Sequence, residues 1–308
     1  MRASYLSITA GAILLAACKV GPNYGRPQVA VPPNFRAPTP LPAPEAASLA
    51  NLKWFEVFHD KKLQDLISVT LVNNYDLRDA VTRVEQARAN LGITRSNQFP
   101  QLTAQGALEI TRLSRNGEFP LGPLFLPSQY RNWGEAALNL LSFEVDIWGR
   151  LRRATEAARA DLLNAEENRK AVVSTLVSDV ASNYFQLLEL DAELRISQRT
   201  LETRVQSLQL TRHQEDHGTA TLLDVRQAEQ LVDSVAESIT SLQQQIQQTE
   251  NAIALLLGRN PEAIPRGLAL IEQALPDVPP GLPSDLLERR PDIRANEEAL
   301  MHTSRGSP

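Results

Sequence analysis

The amino-acid sequence predicts a mainly helical fold that carries one β-hairpin. Two runs of alternating apolar and polar side chains lie between residues 101 and 147, which is typical of half-buried strands. The segment from residue 150 to 217 contains no proline or glycine and is rich in Ala, Arg, Glu and Leu, which predicts one very long helix. A heptad repeat from Val225 to Leu256 predicts a second helix packed antiparallel to the first, as in a coiled coil.

The bulk composition excludes several classes of protein. A hydrophobic content of 43% and a charged content of 22% over 308 residues are normal for one or two folded domains. The net charge of −5 gives no basic surface for nucleic acid. The single cysteine excludes an intrachain disulfide. Because no run of about 18 apolar residues follows the amino terminus, contact with a membrane is expected only through strands or an anchor.

Residues 1–17 are predicted to be a lipoprotein signal peptide. Arg2 provides a short positive region, an apolar core follows, and Leu15-Ala16-Ala17 precedes Cys18. These residues resemble a lipobox, in which the cysteine thiol is acylated and becomes the first residue of the mature chain. The alternative is an ordinary cleaved signal with an incidental cysteine. Lys19 follows instead of aspartate, a pattern associated with sorting to the outer membrane.

Residues 18–50 are predicted to form a proline-rich tether, and residues 51–98 a first helical segment. Eight prolines lie between Pro22 and Pro44, which favours extended chain. Asp60 is a suitable N-cap for the helix that follows, and the polar stretch 73–76 can interrupt it. The spacing of three and four then predicts a seam for another helix, formed by Leu77, Ala80, Val84, Ala87 and Leu91.

Residues 99–148 are predicted to form a hairpin of two strands, about 11–13 residues each. The first runs from Gln101 to Leu113 and the second from about Glu135 to Ile147. Strands of this length cross a bilayer when tilted. Trp133 and Trp148 stand near the ends of the second strand, where interfacial aromatic residues would lie. A soluble half-buried hairpin shows the same alternation. The residues predicted to line the strands and the membrane interface are Leu102, Leu108, Ile110, Trp133, Phe143, Val145, Ile147 and Trp148.

Residues 149–258 are predicted to form a long helical hairpin. Its first helix, from about Leu151 to Asp216, is about 100 Å long at 1.5 Å per residue. Gly218 ends that helix, and Gly258 with Pro261 ends the second. The two heptad rows of the second helix are Val225, Val232, Ile239, Ile246 and Ile253, and Ala228, Val235, Leu242, Thr249 and Leu256.

Two groups of polar residues are candidates for chemistry. His213 and His217 are four residues apart near the tip of the helical hairpin, but without a third ligand a solvated surface is the better interpretation. Glu144, Asp146 and Arg150 lie near the end of the second strand, and ion pairing accounts for them because no nucleophile, base or cofactor motif lies nearby. We therefore expect no catalytic residues, no metal site and no cofactor.

Residues 259–308 are predicted to be a connector and the start of an incomplete second repeat. At an offset of 216 residues, Asp76-Leu77-Arg78 aligns with Asp292-Ile293-Arg294. This weak duplication indicates a second copy of the helix–hairpin–helix unit.

Motifs along most of the chain together resemble the outer-membrane factor (TolC-like) family, the lipoprotein exit ducts of tripartite efflux pumps of the RND type. These motifs are Cys18 with Val20-Gly21-Pro22-Asn23-Tyr24, Asp76-Leu77-Arg78, Ala87-Arg88-Ala89, Phe99-Pro100, the run 142–150 (SFEVDIWGR), Leu223-Asp224-Val225, Asn251 with the run 255–261 (LLLGRNP), and the run 281–294 (GLPSDLLERRPDIR).

The resemblance implies a homotrimer anchored by lipid in the outer membrane. Each subunit would give four strands to one twelve-stranded β-barrel and long helices to a periplasmic α-barrel. The tip residues His217, Gly218 and Thr219 would contact a periplasmic adaptor or the inner-membrane pump. The expected function is passive export of drugs or other small molecules from the periplasm to the outside.

The sequence departs from this pattern after Met301, where the residues no longer follow the alanine-rich helix of the family. We therefore expect half of the two-repeat subunit. Three copies with two strands each would leave unpaired strand edges in lipid, at a cost of several kcal/mol for each unsatisfied group. The alternatives are a periplasmic lipid-anchored coiled-coil scaffold and a non-functional fragment of the channel.

Overall fold

The computed structural model describes residues 23–28, 30, 53–112, 130–274 and 286–306. The predicted fold class is confirmed, because helices dominate these ranges and the two strands form one hairpin. Within these ranges, none of the helices combines the length and the apolar character needed to span a membrane. The elements are α1 (Trp54–Val57), α2 (Lys61–Asn73), α3 (Tyr75–Ser96), β1 (Gln101–Arg112), β2 (Tyr130–Ser142), α4 (Arg150–Asp216), α5 (Leu222–Leu256), a 3₁₀ turn (Leu270–Glu272), α6 (Leu286–Arg289) and α7 (Pro291–Gly306).

The chain divides into two compact units. The smaller unit comprises the described residues within Met1–Arg26, Gln86–Leu162 and Glu298–Pro308, and it contains the β-hairpin. The larger unit comprises those within Pro27–Glu85 and Leu163–Glu297, and it contains all of α5.

The core of the larger unit lies where α2 and the middle of α4 meet the end of α5. Trp54 and Phe58 pack against this core, whereas Phe55 is exposed. The buried residues of the core are Leu63, Leu66, Ile67, Val180, Ala181, Tyr184, Leu187, Leu188, Ile253, Leu257 and Ile264.

The helical seams follow the predicted spacing. In α3, Ala80 and Val84 are buried, and Leu77, Ala87 and Leu91 are half-buried. In α5, every residue of the two heptad rows is buried or half-buried. The glutamines at 243–245, 247 and 248 are exposed. The predicted spacing of the buried seam residues is therefore confirmed in α3 and α5.

Asn74 separates α2 from α3 and joins both to the end of α5. Its side-chain oxygen accepts a hydrogen bond from the Leu77 backbone N–H at 3.1 Å, and its side-chain nitrogen donates to the Leu256 carbonyl at 3.0 Å. Gly258 ends the α5 region with φ +67°, and a Cβ there would lie 2.8 Å from the Asn73 carbonyl oxygen. The close approach and the positive φ both require glycine.

Part of the predicted connector, residues 264–273, packs on the core of the larger unit. Ile264 is buried, and its backbone N–H donates to Glu250. The Arg266 guanidinium binds Asp191 and Glu250, which lie on the two long helices. Charge pairing therefore fixes this part of the predicted connector against the two long helices.

The second strand ends earlier than the sequence predicts. The alternation through Phe143, Val145 and Ile147 predicted a strand to Ile147, but β2 ends at Ser142. That prediction is wrong because the chain turns: Gly149 takes φ +80°, and α4 begins at Arg150.

The last described residues form a helix that extends past the point where the sequence departs from the family pattern. Helix α7 runs to Gly306, five residues beyond Met301. Within the smaller unit, the His302 ring nitrogen Nδ1 lies 2.9 Å from Asp161 of α4. Side chains beyond Met301 therefore pair with α4.

Candidate functional site

The β-hairpin has one apolar face and one polar face. Pairing is antiparallel, with Leu102 opposite Leu140, Ala104 opposite Leu138, and Leu108 opposite Gly134. Directly opposed residues in a sheet share a face, and successive residues alternate between faces. The apolar face therefore carries Leu102, Ala104, Leu108, Ile110, Leu138 and Leu140, together with Arg112 and Asn132. The polar face carries Thr103, Gln105, Glu109, Glu135 and Asn139, together with Ala107, Trp133 and Ala137.

Nothing in the described part of the chain covers the apolar face. Leu108 is 89% exposed, Ile110 is 78% exposed and Leu138 is 75% exposed. Leu102 and Leu140 are also exposed. Monomeric soluble proteins rarely leave this much contiguous aliphatic surface in water. The hairpin therefore differs from a half-buried hairpin packed on its own core.

The cross-strand register shows which face of the hairpin Trp133 occupies. Trp133 pairs with Glu109, so it lies on the polar face and not with the leucines. Tyr130, which was not among the predicted site residues, lies on the apolar face as the first residue of β2, opposite Arg112. The Arg112 guanidinium lies 5.5 Å from the centre of the Tyr130 ring. Only the strand pairing identifies Tyr130 as the aromatic residue of this face.

The segment 143–148 between β2 and α4 exposes its large apolar side chains. Phe143, Val145, Ile147 and Trp148 are all exposed. They therefore lie beyond the end of β2, and their contact with a membrane interface stays a prediction.

The acidic residues of that same segment pair with the first turn of α4. Glu144 binds Arg150 at 2.6 Å, and an Asp146 side-chain oxygen accepts from the Arg152 backbone N–H at 2.9 Å. Ion pairing, as the sequence predicted, accounts for these acidic groups. Asp146 also satisfies a backbone donor at the start of α4, which holds the segment against the helix.

The turn between α4 and α5 is closed by two successive caps. The Thr219 backbone N–H donates to the Gln214 carbonyl and the Gly218 N–H donates to Glu215, both at 2.8 Å. This is a Schellman motif, which needs the left-handed conformation that Gly218 adopts at φ +74°. Thr221 and Asp224 then form a capping box at the start of α5. Hydrogen bonds at the end of α4 and at the start of α5 therefore define the conformation of the tip.

The predicted contact residues lie at the surface of this tip. His217, Gly218 and Thr219 are exposed, and so are the neighbouring Leu222 and Leu223. The two leucines were not among the predicted site residues. Their position in the sequence could have identified them: they lie at the start of an amphipathic helix but belong to neither heptad row, so they face away from its buried side.

Ion pairs hold the two arms of the helical hairpin together near the tip. Glu229 of α5 binds Arg212 of α4 and Arg226 of its own helix, each at 2.8 Å. The hydrogen bonds from Arg212 and Arg226 lower the pKa of Glu229. The Thr221 hydroxyl and backbone N–H likewise lower the pKa of Asp224. Both carboxylates are therefore charged in neutral solution.

A buried hydrogen-bond network around Asp60 fixes the base of the helical hairpin, the region where α2 and the middle of α4 meet the end of α5. Asp60 is 2% exposed, and its Oδ1 caps α2 by accepting from Lys62 N–H. Its Oδ2 accepts from the Tyr184 hydroxyl, the Leu268 N–H and the Gln273 side chain. Burial alone would raise the pKa of Asp60, but these hydrogen bonds together lower it. For Tyr184, burial is the largest cause of a pKa raised to about 12.

The remaining predicted residues are the cysteine expected to be acylated and the two histidines near the tip. Cys18 lies outside the described residues. The His217 ring nitrogen Nδ1 lies 2.7 Å from the His213 carbonyl oxygen, and both rings are exposed. Among the described residues, His, Cys, Asp and Glu side chains form no group of three or more that could hold a metal ion.

Comparison with known proteins identifies the family. The model of the family described as "Outer membrane efflux protein" matches residues 66–259, which is more than half of the chain. The probable efflux pump outer membrane protein TtgC of Pseudomonas putida is 34% identical, over 97% of this chain and 62% of its own. The cation efflux system protein CusC of Escherichia coli is 35% identical, over 94% and 61%.

A solved structure agrees with these sequence matches. The open-state crystal structure of the MtrE outer membrane channel of Neisseria gonorrhoeae superposes with a TM-score of 0.74 at 30% identity. That match covers 94% of this chain and 62% of the channel chain. The chain thus spans about three fifths of the length of the relatives it matches. It belongs to the outer membrane efflux protein family.

Proposed function

We propose that this chain forms part of the wall of an outer-membrane channel in a tripartite efflux system. The channel exports drugs or other small molecules passively from the periplasm to the outside. The names of the relatives include toluene, antibiotic and cation efflux, and those substrates are stated for those proteins alone. Energy comes from the partner pump, and this chain performs no chemistry of its own.

The observation that carries the proposal is the uncovered apolar face of the β-hairpin. Its large aliphatic residues meet no other described part of the chain, and the opposite face is polar. One face against lipid and one against water is the arrangement of a membrane-spanning sheet around an aqueous space. Strands of 12 and 13 residues exceed the roughly 9–11 residues that a tilted strand needs.

The helical hairpin is long enough to form the periplasmic part of the proposed channel. Its second arm, α5, has 35 residues and is therefore about 52 Å long at 1.5 Å per residue. This length suits a tunnel that projects from the membrane toward the pump. The capped tip, with Gly218, Thr219, Leu222 and Leu223 at its surface, is the docking surface for the periplasmic adaptor. Exposed leucines on a capped tip offer the apolar anchors that a helical partner needs.

Two further parts of the proposal follow from the family resemblance. Cys18 carries the acyl chains, which attach the mature amino terminus to the outer membrane. The assembly is a homotrimer with its helices in the periplasm. Neither part depends on the apolar face, so each can fail without removing the membrane hairpin.

The test is conductance in planar bilayers of protein extracted from outer membranes. The wild-type chain should give discrete single-channel steps. Leu138→Arg places a charge on the apolar face and should abolish them, because arginine facing the middle of a bilayer costs about 2–4 kcal/mol. Gln105→Arg, on the polar face one register step away, should keep the steps and change only their size.

Two outcomes would contradict the proposal. If the wild-type chain is a soluble monomer after extraction without detergent, it forms no channel. If protease removes both strands in intact outer membranes while the helices remain, the chain is a lipid-anchored periplasmic scaffold.

A further inference from the structure

The beginning of the described chain is held at the first turn of α4. The Arg153 guanidinium donates through Nη2 to the Asn23 side-chain oxygen at 2.8 Å, across 130 residues of sequence. Both residues belong to the smaller unit. Asn23 itself is exposed, whereas the Arg153 side chain is only 11% exposed. A nearly buried arginine side chain thus donates a hydrogen bond to one exposed residue of the tether.

The Arg153 guanidinium is also oriented by a carboxylate on its own helix. Its Nη1 donates to Glu156, one turn along α4, at 3.2 Å. Glu156 in turn lies 4.0 Å from Arg305 of α7. A planar guanidinium fixed by one carboxylate presents its remaining N–H groups in a set direction, so little further order is lost when it binds an acceptor.

The position of this contact along the chain relates it to the membrane. Asn23 follows Cys18 by five residues, so the cysteine lies within about 18 Å of it even in fully extended chain. Arg153 follows Trp148 by five residues and the end of β2 by eleven. The contact is therefore close in sequence both to the acylation position and to the point where the chain leaves the hairpin.

We propose that Arg153 is the positioning residue for the acylated amino terminus. It holds Asn23 at the start of α4 and so keeps the lipid on Cys18 beside the end of the β-hairpin. The acyl chains and the strands then enter the membrane at one place on the subunit. This inference rests on the proposed acylation and membrane insertion. It adds a residue that fixes where the anchor meets the body.

The chemistry of the contact predicts which substitutions weaken it and which strengthen it. Asn23→Ala removes the acceptor and leaves the body unchanged, because Asn23 lies in the tether. Arg153→Gln removes the donor. Asn23→Asp supplies a carboxylate, whose hydrogen bond with a guanidinium is stronger than that of a neutral amide. Arg159→Gln removes a charge from an exposed position of the same helix and is the matched control.

The experiment measures chymotrypsin cleavage after Tyr24 in intact outer membranes, with the released amino-terminal lipopeptide quantified by mass spectrometry. Tyr24 is half-buried beside the contact, so cleavage requires the tether to detach. Asn23→Ala and Arg153→Gln should each raise the cleavage rate by about threefold to tenfold, the range expected for one hydrogen bond. Asn23→Asp should lower it, and Arg159→Gln should match the wild type.

The double variant Asn23→Ala with Arg153→Gln should cleave no faster than either single variant, because both remove the same contact. Additive effects, or an equal rate in wild type and Asn23→Ala, would overturn the inference. If the rates change as expected but no conductance is found, the channel proposal fails and the role of Arg153 stands. Conductance with unchanged cleavage rates removes only the role of Arg153.

Discussion

The Tyr184 hydroxyl donates a hydrogen bond of 2.9 Å to Oδ2 of Asp60, a residue 124 positions away in the sequence. The same hydroxyl accepts from the Gly267 backbone N–H at 2.8 Å. One phenol thus connects α2, α4 and the segment that follows α5. The base of the helical hairpin is held by a buried polar network as well as by apolar packing.

Removing Asp60 should destabilise the larger unit more than removing the Tyr184 hydroxyl. Asp60→Ala leaves the Tyr184 hydroxyl and the Leu268 N–H without their shared acceptor and removes the cap of α2, which should cost about 3 kcal/mol. Tyr184→Phe removes one hydrogen-bonding group and should cost about 1–2 kcal/mol. Thermal unfolding followed by far-ultraviolet circular dichroism measures both. Asp65→Ala, at an exposed position of α2, is the control and should change little.

Acid should remove the stabilisation that Asp60 provides. The folded-state pKa of Asp60 lies below its ordinary value of 3.8, because its hydrogen bonds outweigh burial. Its contribution is therefore complete above that value and is lost as the pH falls through the lowered folded pKa. The melting temperature should decline in this acidic range, and the decline should be smaller in Asp60→Asn. An identical acid profile for the two proteins would contradict the role assigned to Asp60.

Alkali should act through Tyr184. Burial raises its pKa from 10.0 to about 12, so the folded state keeps the proton over a range in which the unfolded chain loses it. The stabilisation is complete below pH 10 and is lost as the pH rises toward 12. Absorbance of tyrosinate near 295 nm should show one tyrosine of wild type titrating late. That late titration should be absent in Tyr184→Phe.

The two helix-ending glycines should differ in their tolerance of alanine. Both take positive φ, +74° at Gly218 and +67° at Gly258, which costs a side chain about 1 kcal/mol. A Cβ at Gly218 meets nothing within 4 Å, whereas one at Gly258 would lie 2.8 Å from the Asn73 carbonyl. Gly258→Ala should therefore lower the melting temperature clearly more than Gly218→Ala. Equal falls in melting temperature for the two variants would show that the positive φ alone, and not the contact with Asn73, sets the cost of the added Cβ.

Charge at the tip should weaken adaptor binding without unfolding the helical hairpin. Leu223 is 65% exposed beside the capped turn, so Leu223→Glu should leave the melting temperature unchanged. The affinity of this variant for the adaptor should fall about tenfold, as expected when an apolar anchor is lost from an interface. Pull-down or interferometry with the purified adaptor measures this. Leu255→Glu, an exposed leucine at the other end of α5, should bind normally.

Periodicity in the sequence predicted the helices well because each seam is local. The spacing of Leu77, Ala80 and Val84 in α3 is enough to identify its buried side. Asp60 was also predictable as an N-cap, since capping involves the next three residues. Its second oxygen was not predictable, because its partners Tyr184 and Leu268 are distant in the sequence.

The hairpin shows where periodicity fails. The alternation continues past Ser142 into Phe143 and Val145, although the strand has ended, because side-chain pattern does not record backbone pairing. Position along β2 predicts Trp133 near a membrane interface but does not say which face it occupies. Only its pairing with Glu109 places it on the polar face. Register is a relationship between two segments, and neither segment carries it alone.

The most direct test of the membrane hairpin compares two neighbouring residues of β1. Leu108→Cys and Glu109→Cys place a thiol on the apolar and the polar face, and an environment-sensitive fluorophore on each is exposed to nitroxide-labelled lipid in outer membranes. We expect strong quenching at position 108 and weak quenching at position 109. Equal weak quenching at both positions would show that this face does not meet lipid, and the proposed channel wall would be wrong.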